Sequence, residues 1–395
     1  MKRISFSYPE LWNEENICGH GMEIKMDNNN IIEVKDLHVD ISMMEGTLTP
    51  VRGVSFEMKR GETLGLVGES GSGKSLTCKA ILGINEKKCK SSGEILFDAD
   101  GSGKIDLLKL DPKGKAIRAI RGKQISMIFQ EPMGSVSPMY TIGNQINEAT
   151  RLHITKDKKK SKEISLEMMK KVGIANAEKR YNQYPHEFSG GMLQRALIAM
   201  ALVCNPALLI ADEPTTALDV TIQAQILELM KEMQKEFNMA ILFITHDLGV
   251  VAKMCDRVAV MYLGKVVESG SAQIIYADPE HPYTRGLIGS VHKIGGKKDE
   301  RLFSIEGTVP LAMNLPRACG FYDRCDARIE GLCDKAEPEL VEIAPGHRIA
   351  CFACQNEACK AQRVAAEAMI KAEEEARKNA VPENNAKGKK GRRNE

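Results

Sequence analysis

The sequence predicts an α/β fold built on a parallel sheet, and three observations carry that prediction. Gly68-Glu69-Ser70-Gly71-Ser72-Gly73-Lys74-Ser75 fits the phosphate-binding loop pattern GxxxxGK[ST]. It lies between a buried strand, Glu62 to Val67, and a helix opening at Ser75. Two further apolar runs, Ala207 to Ala211 and Ala240 to Ile244, read as strands that end in Asp212-Glu213 and Thr245-His246-Asp247. Strands that deliver polar residues at their C-terminal ends are how open α/β sheets hold ligands.

Size and composition narrow the class. A chain of 395 residues can bury a full core and is expected to hold two domains. A net charge of +2 argues against a surface designed for nucleic acid. No stretch reaches the ~18 apolar residues that a membrane-spanning helix needs. The N-terminus shows no apolar signal region, so the chain is expected to stay in the cytoplasm. Thiols are reduced there, and the eleven cysteines are not counted as disulfides.

In chain order, residues 1–30 are polar, hold Trp12 and end in Asp27-Asn28-Asn29-Asn30, which predicts a mobile extension. Ile32 to Val34, Leu37 to Ile41 and Val54 to Met58 alternate as strands, and Gly93 to Phe97 reads as another after the phosphate-loop helix. Asp98, Asp100, Ser102, Gly103, Ile105 and Asp106 fall at calcium-loop spacing. Lys109 stands where a glutamate should close the cage, so a solvated hairpin loop is expected. Ile125 to Phe129 is a strand running into Gln130. From Ile142 to Phe188 the periodicity is helical, and the basic run Lys156 to Lys162 reads as a solvated face. Ser189-Gly190-Gly191 opens a helix, expected over Met192 to Val203, as a cap that can also present N–H groups to a phosphate.

The chemistry follows from these placements. Backbone N–H groups of residues 68–75 can cradle phosphates, Lys74 supplies a point charge, and the Ser75 hydroxyl can ligate Mg²⁺. An acidic pair at a buried strand end is costly without a cation. Asp212 therefore suits Mg²⁺, and Glu213 suits the attacking water.

The ordered set of phosphate loop, Gln130, Phe188-Ser189-Gly190-Gly191-Met192, Asp212-Glu213, Ala217-Leu218-Asp219 and Thr245-His246 resembles the ATP-binding cassette transporter ATPases. The resemblance implies a P-loop NTPase core with an antiparallel β subdomain and a helical subdomain. It implies ATP and Mg²⁺ at Gly68, Glu69, Ser70, Gly71, Ser72, Gly73, Lys74 and Ser75, with Asp212 on Mg²⁺ and Glu213 as general base. His246 would meet the γ-phosphate, and Gln130 would sense Mg²⁺ and water at the joint with the helical subdomain. Ser189, Gly190 and Gly191 would reach ATP on an opposing subunit, and Asp219 would line that dimer interface. The family usually stacks an aromatic on adenine, but Ile41 to Gly46 contains none, so weak base discrimination is expected.

Three segments resemble a narrower group, the ATPases of dipeptide, oligopeptide and nickel importers. They are Ile128 to Met133 with Ser137 to Gly143, Tyr184 to Met192, and His281-Pro282-Tyr283-Thr284-Arg285-Gly286-Leu287. In that group Met192 is the expected end of the signature. The resemblance implies two transmembrane permease subunits, a second and related ATPase chain, an extracellular substrate-binding protein, and a place on the cytoplasmic face of the membrane. Nickel or another small solute is the alternative cargo, and a soluble non-transport ATPase is the distant one. The implied boundaries are an extension at 1–30, the nucleotide-binding domain at 31–288 with its helical subdomain at about 135–195, a Cys-rich C-terminal accessory domain at 289–360, and a helix with a basic tail at 361–395.

Cys319, Cys325, Cys333 and Cys351 leave three readings open: structural zinc, an iron–sulfur cluster or free thiols. Their gaps of five and seven residues fit zinc pairs poorly. The resemblance implies a [4Fe–4S] cluster on these four, with Cys354 or Cys359 as the substitute for Cys351.

Overall fold

The computed structural model describes residues 29–216, 218–290 and 305–379. The extension with Trp12, Ala217, the linker at Gly295-Gly296-Lys297-Lys298 and the basic tail from Val381 lie outside the described residues.

Strands β1 (Asn30–Met43) and β2 (Gly46–Lys59) form a hairpin, β3 (Thr63–Val67) leads into the phosphate loop, and β4 (Cys89–Phe97) and β5 (Ile105–Asp106) return to the hairpin. The order β2-β1-β4-β5 makes an antiparallel sheet. In β1 the buried positions switch from Ile32 and Val34 to Leu37 and Val39. A period of two cannot do this without an extra residue. Asp36 supplies it: its φ of 47° sits at a bulge between Val34 and Leu37, which keeps one apolar face inward.

The larger sheet continues with β6 (Ile125–Ile128), β7 (Leu208–Asp212), β8 (Ala240–Thr245), β9 (Arg257–Tyr262), β10 (Lys265–Ser271), β11 (Val341–Ala344) and β12 (His347–Ile349). Its order is β11-β12-β10-β9-β3-β8-β7-β6. The run β9-β3-β8-β7-β6 is parallel, and β10, β12 and β11 are added antiparallel. Every residue of β3, β7 and β8 is buried, as uninterrupted apolar runs in a covered parallel sheet require.

Helices Ile142–His153, Lys158–Lys171 and Gly190–Leu202 share one apolar cluster through Ile142, Ile146, Met169 and Leu193. Asp157 caps the second of them by accepting from the Lys159 N–H, and Lys158, Lys159 and Lys160 are exposed, so the basic run is a solvated face. The signature helix begins two residues earlier than the sequence suggests because Ser189 is its cap.

The Cys-rich segment was expected as a small accessory domain, and here the structure differs. Its hairpin β11–β12 joins the main sheet through Glu268↔Ile349 and Ser269↔Arg348, and Phe321 and Cys325 belong to the main core. Glu337 takes ion pairs from Arg52 at 2.8 Å and Lys265 at 2.6 Å. The segment is thus a continuation of the sheet. Its following helix spans Glu357–Asn379.

Glu268 holds this junction. Its fully buried carboxylate contacts His347 Nε2 at 2.8 Å and accepts the backbone N–H groups of Glu280 and His281 at 2.8 and 3.1 Å. Burial would push this carboxyl up, but the hydrogen bonds outweigh it and hold the carboxyl below its ordinary range. A depressed carboxyl contributes stability that is complete above its unfolded value of ~4.3 and is lost as pH falls toward its folded one. Glu268→Gln is therefore expected to cost about 2–4 kcal/mol at pH 7 and to narrow its deficit below pH ~4, read from urea midpoints at both pH values.

Candidate nucleotide site

The phosphate loop leaves β3 at Val67 and enters the helix Lys74–Leu82. Two glycines are demanded by close backbone approach. A Cβ on Gly68, at φ 152°, would lie 2.2 Å from the Met261 carbonyl oxygen, and one on Gly73, at φ 101°, would lie 2.3 Å from that of Pro50. The loop is therefore wedged between β2 and the end of β9. Ser70 and Gly71 form its exposed crest.

Lys74 fills the loop from inside. Its Nζ donates to the carbonyls of Gly68 at 2.7 Å and Glu69 at 2.9 Å and to Ser72 Oγ at 3.3 Å. Burial lowers its pKa, partly offset by the nearby charges of Glu213 and Asp212. Ser75 Oγ donates to Asp212 Oδ1 at 3.0 Å, so the two oxygens proposed for one hard cation already meet. Burial, reinforced by Glu213, pushes the Asp212 carboxyl up.

Glu213 is the hub. Gln130 Nε2 donates to its Oε2 at 2.9 Å, Thr216 Oγ1 donates to the same oxygen at 2.9 Å, and His246 Nδ1 lies 3.1 Å from Oε1. Its backbone is left-handed, φ 47°, a strained state for a side-chain-bearing residue that turns the carboxylate off the strand end. Burial works to raise this carboxyl, but His246, Thr216 and Lys74 together hold it below its ordinary range. It is ionised at neutral pH. Thr216 was missed from the sequence, although it lies three residues beyond the acidic pair it serves.

Ser189, Gly190 and Gly191 do not join this network among the described residues. Ser189 Oγ accepts from its own helix at Met192 N, and Ser189 and Gly190 are exposed. Gly191 packs so closely on Ile222 that a Cβ would lie 2.7 Å from it. Asp219 caps that same helix, Val220–Phe237, through the Ile222 N–H at 2.9 Å. Signature and Asp219 are thus neighbours on one exposed face. In Ile41 to Gly46 the large exposed side chains are Met43 and Met44.

The His281-Pro282-Tyr283-Thr284 motif starts the helix Pro282–Gly289, with His281 as its cap. The fully buried Tyr283 reaches back to the phosphate loop, where its hydroxyl accepts the Glu69 N–H at 2.9 Å.

Cys319, Cys325, Cys333 and Cys351 line one small pocket beside Phe321. Burial pushes the thiols of Cys319 and Cys351 up to about 12 and raises those of Cys325 and Cys333. Cys354 and Cys359 cluster with Cys351 around Ile349 but do not line the pocket. Zinc needs all its sulfurs ~2.3 Å from one point. Among the described residues no group of three or more His, Cys, Asp or Glu could hold a metal ion. The expectation of a metal or an iron–sulfur cluster on these cysteines is therefore unsupported.

Comparisons with known proteins bear on the fold and the family. A family model described as ABC transporter matches residues 51–216, and one described as oligopeptide/dipeptide transporter, C-terminal region, matches residues 267–333. A putative peptide import ATP-binding protein of Brucella melitensis is 45% identical over 338 residues, covering 84% of this chain and 99% of that protein. The dipeptide transport ATP-binding protein of Bacillus subtilis is 47% identical, covering 82% of this chain and 94% of that protein. The dimeric post-hydrolysis structure of an ATP-binding cassette bound to ADP and Pi has a TM-score of 0.54 at 26% identity, covering 61% of this chain and 98% of that one. A component of a Clostridium perfringens ABC transporter complex has a TM-score of 0.52 at 29% identity, covering 66% and 95%.

Proposed function

The chain belongs to the ATP-binding cassette transporter ATPases, in the group of the oligopeptide and dipeptide importers, and on that premise we propose that it hydrolyses ATP to power a peptide importer. The observation that carries the chemistry is the hub at Glu213, where a charged carboxylate is aimed by Gln130, Thr216 and His246 beside the Ser75–Asp212 pair.

Gly71, Gly73 and Ser72 would turn backbone N–H groups to the phosphates, and Lys74 would exchange its loop carbonyls for the β- and γ-phosphates. Ser75 and Asp212 would hold Mg²⁺, which neutralises charge on the phosphate oxygens when bound. Gln130 bonds Glu213 directly, so its part is to orient the base and report on it. Glu213 takes a proton from the attacking water, and His246 holds the γ-phosphate side of the site. Ser189 and Gly190 are exposed, and with Gly191 they would contact the nucleotide of a second cassette, with Asp219 at that interface. ATP binding closes the pair and hydrolysis reopens it.

Exposed Met133, Met139 and Tyr140 follow Gln130 directly, an apolar surface suited to docking on membrane subunits. Among the described residues no helix is long and apolar enough to cross a membrane. We place the chain on the cytoplasmic face beside two permease subunits, with a related ATPase chain and an external binding protein completing the complex. Peptide cargo is favoured over nickel by the peptide importers among its relatives. Purification from membranes tests this: two membrane-spanning subunits should co-purify, and recovery of the chain alone or with nucleic acid would overturn it.

The pocket cysteines Cys319, Cys325, Cys333 and Cys351 would hold a [4Fe–4S] cluster, whose role is to fasten the C-terminal segment. Anaerobic purification should give about four irons and four sulfides per chain. Colourless protein with stoichiometric zinc or no metal contradicts it.

With methionines at the hairpin tip, the site grips phosphates and barely senses the base. GTP is expected to support hydrolysis within about tenfold of ATP, since one lost ring contact amounts to ~1–1.5 kcal/mol. Side-by-side turnover measurements check this, and a preference beyond about a hundredfold would require another base-reading residue.

A further inference from the structure

Arg324 is the residue that the nucleotide chemistry leaves unexplained. It sits in the C-terminal segment, 255 positions from Glu69, yet its side chain is 94% buried against the phosphate loop. Nη1 donates to Glu69 Oε2 at 2.7 Å and Nη2 to Oε1 at 3.0 Å, a two-pronged pair. Nε donates to the Glu306 carbonyl at 2.9 Å, and the guanidinium lies over the rings of Tyr262 and Phe321. It is held from every side.

Glu69 gathers three contacts at one loop position. Its carbonyl accepts from Lys74, its N–H donates to Tyr283, and its carboxylate accepts from Arg324. A carboxylate beside a phosphate cradle would repel the anion unless its charge is met, and Arg324 meets it. The next residue, Cys325, lines the four-cysteine pocket, as do Phe321 and Cys319. One short segment therefore touches the phosphate loop on one side and the pocket on the other.

We propose that Arg324 is a positioning residue of the nucleotide site, clamping the phosphate loop through Glu69 so that nucleotide affinity depends on the state of the four-cysteine pocket. This rests on the nucleotide reading of the loop. Disturbing the pocket shifts the Cys325 backbone, the clamp loosens, and Glu69 both frees its charge and releases the carbonyl that orients Lys74. By linkage, nucleotide binding stabilises the pocket in return.

The test is equilibrium titration of the full-length chain with a fluorescent ATP analogue and Mg²⁺, with the thermal midpoint recorded for each variant. Arg324→Ala should weaken binding about 5- to 150-fold, the range of coupling between linked sites. The double variant Glu69→Gln with Arg324→Ala should recover part of that loss, because the unmet charge is gone. Lys265→Ala, which removes another ion pair of the same segment, should leave affinity unchanged and so separates clamping from simple fastening. Cys325→Ser should weaken binding in the native background and add nothing on top of Arg324→Ala. Wild-type affinity in folded Arg324→Ala, or an equal loss in Lys265→Ala, overturns the clamp. Independent, additive effects of Cys325→Ser and Arg324→Ala overturn the coupling. Failure of the unmodified chain to bind nucleotide at all would instead overturn the nucleotide reading, and the proposal with it.

Discussion

Glu213→Gln is expected to bind ATP normally and lose nearly all turnover. The amide preserves the shape of the hub but cannot accept a proton from water, and loss of a general base lowers rate by ~10²–10⁴. The geometry makes the test clean. Gln130 and Thr216 both donate to Oε2, and His246 meets Oε1, so an amide keeps its Thr216 contact through the remaining oxygen. Steady-state phosphate release and nucleotide titration on one preparation separate chemistry from binding. Turnover near the unmodified rate would remove Glu213 from the role of base.

Gly73→Ala is expected to abolish tight nucleotide binding. The added Cβ would sit 2.3 Å from the Pro50 carbonyl oxygen, and φ at 101° is closed to a residue with a side chain. Backbone must move, and it is the backbone whose N–H groups would face the phosphates. A left-handed strain of ~1–3 kcal/mol together with ~1–3 kcal/mol of overpacking predicts affinity reduced about a hundredfold or more. Gly71→Ala is the informative companion. Its Cβ would meet nothing within 4 Å, so only the φ of 82° opposes it and the loss should be smaller. Equal losses at the two positions would show that conformation, not crowding, sets the loop.

Why the chemistry was legible in the sequence and the support was not follows from the range of the interactions. The strand β3, the loop and its helix were read to within one or two residues, because β3 is buried throughout and its punctuation is local. The acidic strand β7 and the His246 strand β8 were equally plain. The antiparallel pair β9–β10 went unread, although Leu263 and Gly264 at its turn both take positive φ. The helix Val220–Phe237 was missed despite Ile226, Met230 and Met233 spaced along one buried face. The pairing of β12 with β10 could not be read at all, since Glu268 and His347 are 79 residues apart. The same holds for Arg324 with Glu69, where neither residue carries a local pattern that points to the other.

If ATP hydrolysis at Glu213 drives peptides inward, transport into membrane vesicles must depend on it. The chain, purified with its membrane subunits, is placed in vesicles with ATP inside and a peptide-loaded binding protein outside. Peptide accumulation is expected to require internal ATP and to vanish with Glu213→Gln. ATP consumption without peptide uptake, or uptake unchanged in Glu213→Gln, would contradict it.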